Sequence, residues 1–399
     1  MINKNKLVTL ICCWLVIFAA YISVLCVSPI LGLISSELKL NAFQAGLLFS
    51  APVITLAIFA FIGGFLGDIM GPRRTAGLGV AILTISGIIR GLSPGFLILL
   101  SLNFIVGIGW GIIFPNLPKM VKIWFPDRLA GTATGIYSTG VFVGGTLVLS
   151  TTIPSVLPLV GSWRGVFYFW GAISFIITII WWALVKEPAA YRQQSQSNKF
   201  LSRNNIMIIL KNKYIWIIAI FFAFAANATF YIITGWFPSF FIEKGVNEAS
   251  AGFLTSLTTL GGLPAVFLIP FISDRVGLRK PFLWISCLVA AAGFIGIIYS
   301  NFIFDVVFMI IIGITITATY VMSLFLPLEL VRAEYAGTAS GIVISIGYIG
   351  GAAGPLIAGY LKDITGTLVP SIIVLAVLMI VSMILILLIP ETGSRKTVY

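Results

Sequence analysis

The sequence contains no histidine and few charged residues. Among its 399 residues, 9% are Asp, Glu, Lys or Arg, whereas soluble domains average about 25%. The four cysteines all lie in apolar stretches that we expect to be helical, and they are Cys12, Cys13, Cys26 and Cys287. Without histidine, neither a metal site nor a nucleophilic Cys–His pair is supported. We therefore expect no metal, no other cofactor and no enzymatic activity.

A nucleotide-binding loop is also absent. No stretch matches GxxxxGK[ST], the pattern whose backbone amides hold the phosphates of ATP. The sequence therefore gives no support for a process that is driven directly by ATP hydrolysis.

Long apolar runs dominate what is present. Hydrophobic residues make up 59% of the chain, against about 45–50% in soluble proteins. Each run is near or above the roughly 20 residues that a helix needs to cross a bilayer, and none alternates as the strands of a membrane barrel do. We predict an all-α membrane protein with twelve transmembrane helices, at about residues 7–35, 44–67, 75–93, 95–118, 132–157, 163–185, 214–242, 249–272, 281–300, 302–328, 336–361 and 368–389.

A short charged segment between predicted helices 2 and 3 recurs later in the chain. Residues 64–74 and residues 270–280 align at an offset of 206. At the same offset, residues 130–136 recur as residues 336–342, and two further short stretches keep this register. Several stretches in one register indicate a unit that was duplicated in tandem.

The duplication divides the chain into two six-helix bundles, residues 1–185 and 214–399, joined by a polar cytoplasmic linker at 186–213. Because each bundle has an even number of helices, both have the same orientation, as parallel repeats require.

The positive charges predict which side of the membrane each loop occupies. With both termini placed in the cytoplasm, 19 of the 24 Lys and Arg residues fall on the inner side and 5 on the outer side. This is the positive-inside rule. The net charge of +12 therefore indicates an inner (plasma) membrane protein with the lipid bilayer as its partner, and not a nucleic-acid-binding protein. We expect a monomer.

The duplicated segments resemble the cytoplasmic loop signature of the major facilitator superfamily. That signature has a Gly, then an Asp, then a Gly with two basic residues, between helices 2 and 3. The first copy has Ile69 where a basic residue is usual, and it matches at Gly64, Asp68, Gly71, Arg73 and Arg74. The second has Pro270 in place of the first Gly, and it keeps Asp274, Arg275, Gly277, Arg279 and Lys280. The resemblance covers the whole chain and implies two parallel, pseudo-symmetric bundles that transport a small solute.

We assign a gating role to these charged segments. An Asp among cations needs partners, and the free amides at a helix N-terminus suit it. In the arrangement that the resemblance implies, Asp68 lies near the start of predicted helix 11 and Asp274 near the start of predicted helix 5. They would latch the two bundles on the cytoplasmic side, with Arg128 added to the ten signature residues above. The alternative is that these charges only set topology.

Predicted helices 5 and 11 are rich in glycine, from Gly131 to Gly145 and from Gly337 to Gly354. Small residues spaced by four allow close helix packing in membranes. Two interpretations stay open, namely static packing and a moving interface between the bundles. The Gly-Pro pattern that drug–proton antiporters of the superfamily carry in helix 5 is absent, which argues against multidrug efflux.

The resemblance places the substrate site near the middle of the membrane, where the repeats meet. Asn227 is the strongest candidate, because an amide in the bilayer is costly without a partner. Each aromatic candidate has simple packing as its alternative. The predicted substrate-binding residues are Tyr21, Trp110, Tyr137, Asn227, Tyr231, Thr319, Tyr320 and Tyr348.

Predicted mid-membrane positions contain no Asp, Glu or Lys. A cationic substrate would find no counter-charge there, which leaves a neutral or anionic solute. Lys119, Lys122 and Arg90 could attract an anion, or they could serve only as topology charges. Asn103 stands where family members often have an Arg in helix 4, so that Arg's function is missing here.

Two segments, residues 122–128 and 236–252, loosely resemble the cyanate and small-anion permeases of the superfamily. We therefore predict secondary active or facilitated transport of a small solute, an anion such as a carboxylate or a cyanate-like ion, by alternating access. Efflux of a lipophilic compound is the alternative. A membrane sensor or scaffold that has lost transport is the third interpretation.

Overall fold

The computed structural model describes residues 4–125, 128–186, 210–331 and 336–392. Within these ranges all regular elements are helical, and twelve helices are long and apolar enough to cross a membrane. The prediction of an all-α, twelve-helix membrane protein is confirmed. Most of the predicted linker, residues 187–209, lies outside the described residues.

Contacts between residues divide the chain into two compact units. Unit 1 comprises residues 1–198 and 248–253, and unit 2 comprises residues 199–247 and 254–399. We call the end of each unit that carries the duplicated segment (64–74 or 270–280) its basic end. The other end of the unit is called the opposite end.

The long helices of unit 1 follow one another with short connections. Because of a break after Ile113, α4 consists of two consecutive pieces. The bounds are α1 Lys4–Leu25, α2 Ala42–Met70, α3 Pro72–Ile89, α4 Phe96–Ile113 with Asn116–Trp124, α5 Arg128–Thr151 and α6 Trp163–Leu184.

Unit 2 repeats this order, except that residues 248–253 at the start of α8 group with unit 1, and its first helix contains a π-helical segment. The bounds are α7 Lys213–Phe221, π-helical Phe222–Ala228 and Thr229–Glu243, α8 Glu248–Val276, α9 Lys280–Tyr299, α10 Phe302–Leu330, α11 Ala336–Thr365 and α12 Val369–Leu387.

The first helix is shorter than its apolar run. The prediction of a helix to residue 35 is wrong, because α1 ends at Leu25 and a separate short helix covers Leu31–Leu38. Pro29 accounts for the break, since its ring would clash with the carbonyl of residue 25 and disfavours helical geometry at residue 28. Cys26 consequently lies in the turn and not, as predicted, within a helix.

Two of the glycines in α5 and α11 have a packing role inside their own units. A Cβ atom at Gly140 would lie 2.8 Å from the carbonyl oxygen of Trp14 in α1. A Cβ atom at Gly350 would lie 2.4 Å from the carbonyl oxygen of Ala223 in α7. Both distances are shorter than a carbon can tolerate. Close packing of α5 on α1, and of α11 on α7, therefore accounts for these two glycines.

Candidate substrate site and charged ends

In unit 1, two predicted substrate-binding residues are in contact. The ring of Tyr21 in α1 meets the ring of Trp110 in α4 edge to face, with centroids 5.3 Å apart and an interplanar angle of 80°. Such aromatic pairs are favourable beyond the area that they bury. Both side chains are buried, and so is Tyr137 of α5. The pair can offer an aromatic surface with a phenol and an indole N–H as its polar groups.

In unit 2, Asn227 lies in the π-helical segment Phe222–Ala228 of α7. Its amide nitrogen donates to the carbonyl of Phe222 at 3.3 Å, and Thr229 Oγ1 donates to the carbonyl of Phe224 at 2.8 Å. Both bonds reach back five residues, the spacing of a π-turn. π-helical turns inside α-helices occur frequently at functional sites. Asn227 is buried, and a Cβ at Gly347 of α11 would lie 3.1 Å from its amide nitrogen.

Polar and aromatic side chains of α10 and α11 surround the same segment. Thr319 Oγ1 donates to the carbonyl of Ala225 at 3.3 Å, and the rings of Tyr320 and Phe222 lie 5.5 Å apart. The side chain of Tyr348 in α11 is buried next to that of Tyr320.

Tyr231 follows the π-helical segment in the same helix. It packs against α11, where a Cβ at Gly351 would lie 2.6 Å from its ring. Five predicted substrate-binding residues of unit 2 thus lie around one irregular turn of α7. Together they contribute an amide, a threonine hydroxyl and three phenols.

At the basic end of unit 1, the 64–74 segment packs on α4. The Asp68 carboxylate pairs with Lys119 at 2.6 Å, and Lys119 also donates to the carbonyl of Gly64 at 2.7 Å. Asn116 donates to the carbonyl of Gly63 at 2.8 Å. Lys119, which the sequence offered as a cation for substrate, therefore has a carboxylate partner in its own unit.

Arg73 fastens the end of α6. Its Nε donates to the carbonyl of Val185 at 2.5 Å, its Nη2 donates to the carbonyl of Trp182 at 3.1 Å, and its guanidinium lies 5.6 Å from the Trp182 ring. Gly71 has a φ of 86°, which glycine adopts without a Cβ penalty. Arg74 is exposed, and the side chain of Arg128 at the start of α5 lies outside the described residues.

The second copy makes a different network at the basic end of unit 2. Arg279 pairs with Asp274 at 2.6 Å and with Glu329 at 2.9 Å. Burial opposes the charge of Arg279, but hydrogen bonds to Glu329 and Asp274 outweigh this desolvation and raise its pKa. The Glu391 carboxylate accepts from the backbone amide of Arg279 at 2.7 Å and from that of Lys280 at 3.2 Å.

The remaining signature residues of this copy have local roles. Gly277 has a φ of 74°, the counterpart of Gly71, and the Arg275 guanidinium lies 4.3 Å from the centroid of the Phe271 ring. Lys280 Nζ donates to the carbonyl of Leu387, the last residue of α12, at 3.0 Å.

Sequence reasoning missed a pair of carboxylates at the opposite ends. Glu37 accepts from Arg164 and from the Trp163 indole, each at 2.6 Å, at the start of α6. Hydrogen bonds from Arg164 and Trp163 lower the pKa of Glu37. Glu243, at the 206-residue offset from Glu37, accepts from the amide of Leu368 at 2.9 Å, at the start of α12. The offset itself was the signal that could have revealed both.

Two buried charged clusters also lie at the opposite ends. In unit 2, Lys244 Nζ contacts both carboxylate oxygens of Asp305, at 2.8 and 3.0 Å, and Ser300 donates to the same carboxylate. In unit 1, Arg90 is 1% exposed and donates to the side-chain oxygen of Asn103 at 3.0 Å. No pattern in the sequence indicated either contact.

Within the described residues, twelve membrane helices in two six-helix units form the architecture of a two-bundle membrane transporter. The model of the Major Facilitator Superfamily matches residues 13–355 and 245–398, and the chain belongs to that family. The family resemblance drawn from the duplicated loops is thereby confirmed. The family and the relatives of this chain are transporters, not enzymes.

Several characterised and uncharacterised transporters are similar over most of their length. The chain is 28% identical to the uncharacterised transporter YycB of Bacillus subtilis, over 89% of this chain and 86% of the relative. It is 26% identical to the hexuronate transporter of Bacillus subtilis, over 92% and 90%. It is 25% identical to the cyanate transport protein CynX of Escherichia coli, over 85% and 86%.

The fold also matches a solved structure. A bacterial homolog of the human lysosomal transporter Spinster, in an inward-facing and occupied conformation, superposes with a TM-score of 0.79 over 97% of both chains at 18% identity. This likeness supports the fold alone.

Proposed function

We propose that this protein carries a small anion, such as a carboxylate or a cyanate-like ion, across the membrane by alternating access. The observation that carries the proposal is the distribution of buried charge. Among the described residues, Asp305 is the only fully buried carboxylate, and Lys244 neutralises it. A cation would therefore meet no available counter-charge, whereas a carboxylate or cyanate could accept hydrogen bonds from the phenols, indole and amide of the two aromatic clusters.

The names of the relatives favour the same class of substrate. The hexuronate transporter and CynX are named for organic and inorganic anions, and each is similar to most of this chain. In the predicted orientation, the basic ends face the cytoplasm, both termini are cytoplasmic, and the protein lies in the inner membrane of the cell.

Gating by the two duplicated segments is part of the proposal. Asp68 and Asp274 act as latch carboxylates that stabilise one conformation of the transport cycle. The glycines at 71 and 277 allow both loops to adopt a positive φ. Arg73 and Arg279 tie the loops to their own units, through the carbonyl of Val185 and the carboxylate of Glu329.

Efflux of a lipophilic compound is the second candidate function. The Tyr21–Trp110 pair and the Phe222–Tyr320 pair present aromatic surfaces that suit an uncharged aromatic molecule. The two functions differ in the charge of the substrate, which makes them experimentally separable.

The test is counterflow in proteoliposomes with a panel of labelled solutes, with and without a pH gradient. The panel contains hexuronates, short carboxylates, cyanate, neutral sugars and a lipophilic cation. Saturable exchange of an anion supports the proposal. Exchange of only the lipophilic cation or only neutral solutes contradicts it, and dependence on the pH gradient reveals proton coupling.

A further inference from the structure

Arg90 is a fully buried guanidinium at the opposite end of unit 1. It follows the last residue of α3 and lies between three other helices. Its Nη2 donates to the carbonyl of Ser23 in α1 at 2.7 Å, its Nη1 donates to Asn103 of α4 at 3.0 Å, and it stacks 4.5 Å from the ring centroid of Phe167 in α6.

Every acceptor that surrounds this cation is neutral. The other two contacts are the carbonyl of Gly87 at 3.4 Å and the sulfur of Cys26 at 3.8 Å. Among the described residues, no carboxylate forms an ion pair with Arg90. The guanidinium has five N–H bonds, and these contacts occupy four of them. The charge is therefore solvated by dipoles but not neutralised.

An unneutralised buried cation is costly in a membrane protein. The carbonyl of Ser23 belongs to the last turn of α1, whose end carries a partial negative charge of about half a unit. This dipole lowers the cost but leaves a net positive charge. Unit 2 shows the alternative, because its buried Asp305 has Lys244 as a counter-ion. If stability alone mattered, a carboxylate counter-ion beside Arg90 would stabilise unit 1 in the same way.

The position of Arg90 relates it to the candidate substrate residues of unit 1. Ser23 is two residues from Tyr21 in α1, and Asn103 is seven residues from Trp110 in α4. Seven residues of helix rise by about 10 Å. Over that distance in a low-dielectric interior, a full positive charge acts appreciably on an anion beside the Tyr21–Trp110 pair.

We infer that Arg90 is a specificity-determining residue that favours an anion at the Tyr21–Trp110 pair through space, without touching it. The inference rests on the proposed function, since it presumes that the substrate is an anion. Its opposite is a purely structural role, in which Arg90 only fastens α1, α3 and α4 to one another. The two roles depend on different properties of Arg90, its net charge and its hydrogen bonds.

Asn103→Asp separates charge from geometry. The substituted side chain keeps an oxygen that can accept from Arg90 Nη1, but it neutralises the guanidinium. It gives up the donation from Asn103 Nδ2 to the carbonyl of Leu99, now at 2.9 Å. Ser101→Asp is the matched control. Ser101 is exposed, and its substitution adds the same charge two residues earlier in the same helix, away from Arg90.

The experiment measures the KM and maximal rate of counterflow for an exchanged anion, together with the melting temperature of each purified variant. We expect Asn103→Asp to raise KM about tenfold, with a maximal rate within about twofold of wild type and an unchanged or higher melting temperature. Arg90→Lys keeps the charge but loses the planar guanidinium and its several N–H donors. It should raise KM by less than Asn103→Asp while lowering the melting temperature.

The outcomes distinguish this inference from the proposed function. If the wild-type protein exchanges no anion, both fail. If it exchanges an anion and Asn103→Asp leaves KM unchanged, or Ser101→Asp raises KM as much as Asn103→Asp does, only the role of Arg90 is overturned.

Discussion

At the basic ends of the two units, the residue at the same repeat position beyond the last helix is held through opposite chemistry. In unit 1 a cationic side chain, Arg73, donates to the carbonyl of Val185 beyond α6. In unit 2 an anionic side chain, Glu391, accepts from backbone amides at Arg279 and Lys280. Residues 185 and 391 are at the 206-residue offset, so the place of the contact is the same. The duplication has kept the position of the contact while its charges have changed.

The opposite ends differ in a second way. Unit 2 neutralises its buried charge with the pair Lys244 and Asp305, whereas unit 1 leaves Arg90 with neutral acceptors. Among the described residues, net buried charge therefore resides in unit 1 only. The unpaired cation costs stability, so we attribute this asymmetry to the choice of an anionic substrate.

The largest expected effect is on the transport rate, when one of the two latch carboxylates, Asp68 in unit 1 or Asp274 in unit 2, loses its charge. Asp68→Asn should lower the transport rate by about tenfold or more, since a charge-assisted hydrogen bond that favours one conformation is worth about 1.5–3 kcal/mol. The measurement is uptake into vesicles, normalised to protein inserted and to its orientation by labelling. Asp274→Asn serves as the matched variant.

The latch hypothesis has a specific failure. Normal transport by Asp68→Asn, or an inverted orientation in the membrane with normal turnover, would mean that these charges serve topology alone.

The second prediction makes unit 2 resemble unit 1 by unpairing its buried charge. Asp305→Asn leaves Lys244 without a counter-ion and should destabilise the protein by about 3 kcal/mol. The loss is measured as a lower melting temperature in detergent. The double variant Lys244→Met with Asp305→Leu removes both charges and should recover most of the stability. Equal destabilisation by the single and double variants would show that packing, not charge, governs this cluster.

A third, smaller effect compares the contacts that hold α6 and α12 at the basic ends. Arg73→Ala should cost about 1–2 kcal/mol, because two carbonyls lose a charged donor, whereas Glu391→Gln should cost about 0.5–1 kcal/mol. Thermal unfolding of the two variants provides the comparison. Arg74→Ala, at the exposed neighbour of Arg73, controls for the loss of a basic residue. A loss as large in Arg74→Ala as in Arg73→Ala would contradict the assigned contacts.

The smallest effect concerns pH at the opposite end of unit 1. The pKa of Glu37 is lowered by hydrogen bonds from Arg164 and Trp163. Its contribution to stability is therefore present above the ordinary glutamate pKa of about 4.3 and is lost as the pH falls through the lowered value. The difference in melting temperature between wild type and Glu37→Gln should be constant above about pH 5 and should shrink below about pH 4. A difference that grows on acidification would reverse the assigned sign.

Hydrophobic length and the repeat offset were sufficient to predict twelve helices, because a bilayer imposes one length scale on every span. They could not predict the end of α1 at Leu25, where the local geometry of Pro29 overrides an apolar run. The π-turn at Asn227 was also missed, since a change of hydrogen-bond register leaves the apolar pattern intact.

Contacts between helices explain the remaining misses. The pairing of Lys244 with Asp305 could not be predicted, because the two residues are 61 positions apart and nothing in the sequence joins them. The sequence predicts Arg90 only as an anion-attracting cation or a topology charge. Its burial follows from α1, α4 and α6 closing around it, which periodicity cannot predict.

The carboxylates Glu37 and Glu243 have a consequence for local dynamics. Glu37 holds the first turn of α6 while Arg73 holds its last carbonyls, and Glu243 and Lys280 do the same for α12. A helix anchored at both termini cannot slide lengthwise or fray without giving up several polar contacts together. Amide protons in α6 and α12 should accordingly exchange with deuterium more slowly than lipid exposure alone would suggest. Each of the two helices should also move with its own unit as one rigid body.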